Sequence, residues 1–102
     1  MASTPEGKVK AKVKKAFEYL RHEGYEIYYH MPVQNGMGAP TLDFIGCFRG
    51  QFFAIETKAP GKKPTERQLT TIADMERAGA KVFVYDGTNT AEFSDWLSKL
   101  SR

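Results

Sequence analysis

The sequence contains only one cysteine, Cys47, among its 102 residues. A single cysteine excludes an internal disulfide and gives no support for a cysteine-ligated zinc site, which suits a reducing, cytoplasmic location. No apolar run approaches the ~18 residues needed to span a membrane, and no apolar stretch follows the lysines near the amino terminus. We therefore expect neither a membrane partner nor a secretory signal.

The sequence also lacks internal repeats and low-complexity tracts. Its 41% hydrophobic and 26% charged residues are ordinary for a globular chain, and its length predicts a single domain over residues 1–102. Fifteen basic residues against twelve acidic ones give a formal net charge of +3. This mild excess is compatible with a polyanionic partner but does not demonstrate one.

Apolar periodicity and capping signals predict the element order αβββαβα. Helices are expected over residues 5–22 and 65–78 and after a cap at Asn89, and strands over 25–31, 42–48, 51–58 and 81–85. Three antiparallel strands followed by a helical crossover to a parallel strand predict an α/β fold with a mixed sheet flanked by helices. The first helix carries lysines at positions 8, 10, 12, 14 and 15, which form either a solvated face or a nucleic-acid contact.

The second and third strands are joined by a predicted two-residue turn at Arg49-Gly50. Counting outward from this turn along both strands puts Asp43 opposite Glu56, with Cβ atoms about 4.5–5.5 Å apart. Two carboxylates at that distance repel each other, and a divalent cation with oxygen ligands is the natural compensation. The sequence alone leaves a second interpretation open, in which the acids belong to a surface ion-pair cluster of little energetic weight.

Two neighbours of Glu56 strengthen the metal interpretation. Lys58 emerges on the same face as Glu56, where an ammonium can hold a water molecule or stabilise developing negative charge. The carbonyl oxygen of Thr57 lies between them and is a candidate extra ligand. On the first helix, Glu6 falls within the apolar arc and therefore points toward the sheet, where it either joins a metal site or complements the helix macrodipole.

The pattern formed by Asp43 and Glu56-Thr57-Lys58 resembles the D…ExK signature of the PD-(D/E)XK nuclease superfamily. The predicted element order is similar to the core of that superfamily. The likeness is strongest to the stand-alone VRR-NUC domains of bacteria and viruses, in which a segment similar to CFRGQFFAIETKAPGKKPTERQ recurs. The resemblance extends from about Glu6 to the last helix.

This resemblance implies a restriction-endonuclease-like αβββαβα core and the hydrolysis of DNA phosphodiester bonds with Mg²⁺ or Mn²⁺. By motif, Asp43 and Glu56 correspond to metal ligands and Lys58 to the catalytic lysine. Glu6 corresponds to the helix acid that assists metal binding.

Gln68 has two open roles. The resemblance matches it to a catalytic glutamine often placed near the lysine. It also stands three residues after Thr65, at capping-box spacing, so the residue pattern favours a helix cap equally well.

The resemblance further implies cleavage of branched DNA, four-way (Holliday) junctions in particular, by a homodimer in the cytoplasm of a bacterial or virus-infected cell. Phosphate contacts are expected from basic residues that flank the proposed site or lie near Glu6: Lys8, Lys10, Arg49, Lys62, Lys63 and Arg67. Two other functions remain open, a catalytically silent nucleic-acid-binding module of the same fold and an RNA-processing nuclease. Opposed acids argue against the first, and no RNP-type aromatic motif supports the second.

Overall fold

A computed structural model of the chain describes residues 4–33, 38–89 and 91–101. The described elements are α1 (Pro5–His22), β1 (Ile27–His30), β2 (Phe44–Phe48), β3 (Gln51–Thr57), α2 (Glu66–Arg77), β4 (Lys81–Tyr85) and α3 (Ala91–Leu100). This order confirms the predicted αβββαβα arrangement.

Helix α1 begins and ends where its local signals indicate. The Thr4 hydroxyl accepts a hydrogen bond from the Gly7 backbone amide, and Pro5 occupies the first helical position, where no backbone donor is required. Val9, Val13 and Phe17 recur at helical spacing and are buried. The helix therefore lies on the sheet with its amino-terminal turns near one end of the strands.

The β2–β3 hairpin has the predicted register. Arg49 and Gly50 both adopt positive φ angles, 51° and 80°, as a two-residue hairpin turn requires. Phe48 consequently pairs with Gln51, and the ladder continues to the pair of Phe44 with Ile55. The ladder stops there, so β2 begins two residues later than predicted and β3 ends one residue earlier.

The four strands form one mixed sheet in the order β1-β2-β3-β4. The first two pairings are antiparallel, and β3 and β4 are parallel because α2 crosses between them. Helix α2 packs against β4. On α2 the apolar Leu69 is 52% exposed, whereas Thr71 is buried. The position of β4 selects the packed face, and the helix sequence alone does not specify it.

Helices α1 and α3 share one face of the sheet through aromatic packing. Phe17 of α1 contacts Phe53 and Phe93, and Trp96 of α3 contacts Phe53 and Phe83. Gly46 of β2 faces this cluster. A Cβ atom there would collide with the Phe53 ring and the Tyr28 carbonyl, so glycine is required for the ring to cross β2.

The start of α3 differs from the predicted cap at Asn89. The helix begins at Ala91, and the Asn89 side chain instead binds the end of β4 and the residue after it. Its oxygen accepts a hydrogen bond from the Asp86 backbone amide, and its nitrogen donates one to the Val84 carbonyl. Thr90, which stands between them, lies outside the described residues. None of the helices in the described part of the chain is long and apolar enough to cross a membrane.

Candidate active site

Two acidic side chains are buried where β2 begins and β3 ends. Asp43 directly precedes β2, and Glu56 is the penultimate residue of β3. Continuing the register beyond the pair of Phe44 with Ile55 places these two acids side by side. Asp43 is 9% exposed and Glu56 is 3% exposed, so this is not the surface ion-pair cluster that the sequence left open.

The Asp43 carboxylate is held by β3 itself. Its Oδ2 atom accepts hydrogen bonds from the Thr57 backbone amide at 3.0 Å and from the Thr57 hydroxyl at 2.6 Å. The expectation that Asp43 and Glu56 form a regular cross-strand pair is therefore corrected. The ladder ends at the pair of Phe44 with Ile55, and beyond it the Thr57 amide donates to a side-chain carboxylate and not to a backbone carbonyl.

The sequence predicts a role only for the Thr57 carbonyl oxygen, whereas in the structure the Thr57 hydroxyl binds Asp43. We expect Thr57→Val, which keeps the shape but removes this charge-assisted donor, to lower the free energy of unfolding by about 1.5–3 kcal/mol. Thermal unfolding in chelator measures the effect. Thr70→Val makes the same chemical change on an exposed helix face and should stay within about 0.5 kcal/mol of the unsubstituted protein. Equal effects in both variants would contradict the assigned role.

Each acid is paired with a different lysine. Lys58 Nζ lies 3.7 Å from Glu56 Oε2, in agreement with the predicted shared face, and its side chain is only 13% exposed. Lys10 Nζ of α1 lies 3.5 Å from Asp43 Oδ1. The sequence predicts only phosphate contacts for Lys10, whereas in the structure its ammonium lies against a carboxylate of the site. The signal that could have found it is its helical spacing from Glu6, four residues earlier.

The ionisation of Glu56 is affected by its burial and by the neighbouring acid. Burial, and after it the negative charge of Asp43, raise the pKa of Glu56 to about 7. Lys58 and the Asp43 backbone amide oppose this rise, whereas Glu6 adds to it. A cation placed beside Glu56 would oppose this rise and favour its ionised form.

The donor set fits a hard divalent cation. Mg²⁺ is usually held by one or two carboxylates together with water and substrate phosphate oxygens, and Asp43 and Glu56 supply that pair. Glu6 is half-buried and close enough to influence Glu56, but it does not complete a third ligand position. Among the described residues, no three histidine, cysteine or acidic side chains are grouped so as to hold a metal ion. The direct ligand role of Glu6 stays a prediction.

The remaining predicted site residues divide into two groups. Gln68 closes the capping box of α2, because its Oε1 atom accepts from the Thr65 amide at 2.9 Å. Its role beside Lys58 therefore stays a prediction. Arg49 does not flank the acids, since it lies in the turn at the opposite end of the hairpin, six residues and about 20 Å from Asp43. Exposed cations do lie in the segments that follow β3 or begin α1: Lys8, Lys62, Lys63 and Arg67.

The four-stranded mixed sheet, its helical crossover and the three helices fit a restriction-endonuclease-like α/β fold. A solved structure described as a VRR_NUC domain is similar to this chain, with a TM-score of 0.67 and 23% sequence identity. The similarity covers 97% of this chain and 92% of that one. The fold implied by the sequence resemblance is thereby confirmed. No family model matches the chain, and no curated protein matches it significantly.

Proposed function

We propose that the protein is a metal-dependent endonuclease that hydrolyses DNA phosphodiester bonds. The observation that supports this most directly is the buried pair of Asp43 and Glu56 with Lys58 beside it. Burying two adjacent acids costs stability, so a fold with no use for them would not be expected to keep them. The VRR_NUC structure supports the proposal through its shared fold.

The proposed mechanism divides the work among four residues. Asp43 and Glu56 would hold Mg²⁺ or Mn²⁺, which supplies charge neutralisation at the phosphate and lowers the pKa of a water molecule. The hydrogen bonds from Thr57 keep the Asp43 carboxylate fixed before substrate arrives. Lys58, largely shielded from solvent, orients the attacking water and stabilises the negative charge that develops on phosphate oxygens.

Substrate binding is proposed to rely on phosphate contacts around this end of the sheet. The segment after Lys58 carries Lys62, Lys63 and Arg67. On α1, Lys8 lies two residues before Lys10. Such contacts carry no base sequence information, and we therefore propose selection by DNA structure, with branched substrates such as the four-way junction preferred.

A homodimer acting in the cytoplasm completes the proposal. One site of this size cuts one strand, and two-fold symmetry would supply a second site for the opposite strand. The outer face of the sheet offers apolar surface for such contacts, because Tyr28 and Phe52 are exposed on the same cross-strand rung. A catalytically silent nucleic-acid-binding module and an RNA-processing nuclease are the alternatives.

A cleavage panel tests the proposal and separates the alternatives. Labelled duplex, flap, splayed-arm and four-way-junction DNA, with matching RNA substrates, are incubated with the protein in Mg²⁺, Mn²⁺ or excess chelator. We expect cleavage of branched DNA that depends on the added cation and is absent in chelator. Binding without cleavage under every condition would establish the silent module. Preferential cutting of RNA would establish the processing nuclease, and activity in chelator would overturn the metal scheme.

A further inference from the structure

Lys10 of α1 contacts a carboxylate of the candidate site. Its ammonium lies 3.5 Å from Asp43 Oδ1, and its side chain is 37% exposed. Lys12, Lys14 and Lys15 of the same helix are exposed, and Lys8 stands at the surface one turn closer to the helix start. Among these helix lysines, the structure pairs Lys10 with a buried carboxylate of the site.

The pair is not an ordinary surface ion pair. Exposed pairs contribute little because water screens both charges, but Asp43 is nearly buried and is held from the other side by Thr57. A buried carboxylate without a nearby positive charge is costly. Lys10 therefore supplies positive charge directly to this carboxylate in the metal-free protein.

We propose, on the basis of the function proposed above, that Lys10 is a built-in counter-ion that holds the place of the divalent cation at Asp43 and competes with it. An ion held by Asp43 and Glu56 would bring a second positive charge close to the Lys10 ammonium, which already contacts Asp43. Two cations a few ångströms apart repel each other, and the entering ion also breaks the existing ion pair. Lys10 therefore weakens metal binding in the free protein.

The side chain of Lys10 is flexible enough for its ammonium to bind a second anion after leaving Asp43. Four methylene groups let it leave Asp43 without moving α1, and a DNA phosphate lying over the site is the anion it would then contact. The metal and the DNA would in this way bind cooperatively, because the phosphate receives the lysine that the metal releases. Lys10 is a positioning residue in this scheme, and the site reaches its full metal affinity only with nucleic acid present.

The test compares Lys10→Met with Lys12→Met and the unsubstituted protein. Methionine keeps the length of the side chain and removes the charge. Mn²⁺ affinity is measured by calorimetry without nucleic acid, and melting temperatures are measured in chelator and in Mn²⁺. For Lys10→Met we expect Mn²⁺ affinity to rise about 3–10-fold, the melting temperature in chelator to fall, and the stabilisation by Mn²⁺ to increase. Lys12→Met should match the unsubstituted protein, and Lys10→Arg should restore its weaker affinity.

The outcomes distinguish this inference from the proposed function. If the unsubstituted protein binds Mn²⁺ and Lys10→Met binds it with the same affinity as Lys12→Met, the counter-ion role is overturned and the nuclease proposal stands. If no variant takes up Mn²⁺ and the cleavage panel is negative, both proposals fail together. If Lys10→Met is too unstable for calorimetry, the same comparison is made with Lys10→Gln, for which equal Mn²⁺ affinity to Lys12→Gln would again overturn the inference.

Discussion

Lys58→Met is expected to abolish DNA cleavage while leaving the fold and DNA binding largely intact. Removing one preorganised electrostatic group from an active site typically costs on the order of 10²–10³ in rate, and Lys58 is the largely buried ammonium beside Glu56. Methionine retains the aliphatic stem, so packing around the side chain is preserved. Single-turnover cleavage in saturating Mn²⁺ measures the loss, and a gel-shift titration in Ca²⁺ measures binding.

We expect the Lys58→Met variant to fold, because Glu56 can take up a proton. Without Lys58, the pKa of Glu56 is raised further, and the carboxyl becomes neutral near pH 7 instead of remaining as an uncompensated charge. The melting temperature near neutral pH should therefore change little. Lys99→Met, on exposed α3 surface, removes one positive charge far along the chain and should cleave normally. A Lys58→Met protein that loses stability but retains cleavage would show that the lysine is structural and not catalytic.

In metal-free buffer, the stability of the protein is expected to decrease between about pH 4.5 and pH 7 because of Glu56. Its pKa is about 7 in the folded protein against an ordinary value of 4.5, so the folded state retains a proton that the unfolded state has lost. Stability falls with rising pH wherever the folded state binds more protons. The difference between 4.5 and about 7 corresponds to a loss of stability on the order of 3 kcal/mol, or roughly 10–20 °C in melting temperature.

Glu56→Gln isolates this contribution. The neutral amide has nearly the same shape and no proton to lose, so the difference in melting temperature between this variant and the unsubstituted protein should grow from pH 4.5 to pH 7 and stay constant above it. Mn²⁺ should remove most of that difference at pH 8, because the ion stabilises the ionised pair only where Glu56 is present. Glu92→Gln, at an exposed position of α3, controls for general charge effects. Parallel pH profiles for all three proteins would contradict the assigned burial of Glu56.

The hairpin shows how much of the site can be predicted from sequence. A two-residue turn determines the register of every pair outward from it, and side chains alternate between faces with a period of two. These rules predicted that Asp43 lies next to Glu56 and that Lys58 is on the same face as Glu56. The same counting, applied to distance, would have shown that Arg49 cannot flank acids that lie six residues away along the strand.

Local chemistry was also sufficient for the helix starts. Thr4 with Pro5, and Thr65 with Gln68, satisfy amide groups within their own first turn, so no distant residue is needed to specify where α1 and α2 begin. Gln68 makes the predicted cap, and the catalytic role that the resemblance implies for it stays a prediction.

The sequence by itself determined the element order, the hairpin register and the presence of two acids and a lysine at one end of the sheet, because each depends on residues close in the chain or on strict strand alternation. Only the tertiary structure decided that Thr57 holds Asp43 and that Lys10 reaches the same carboxylate from α1. Asp43 is 33 positions from Lys10, and no local rule relates them. Their contact depends on the position of α1 on the sheet. The many side chains of the aromatic core determine that position together.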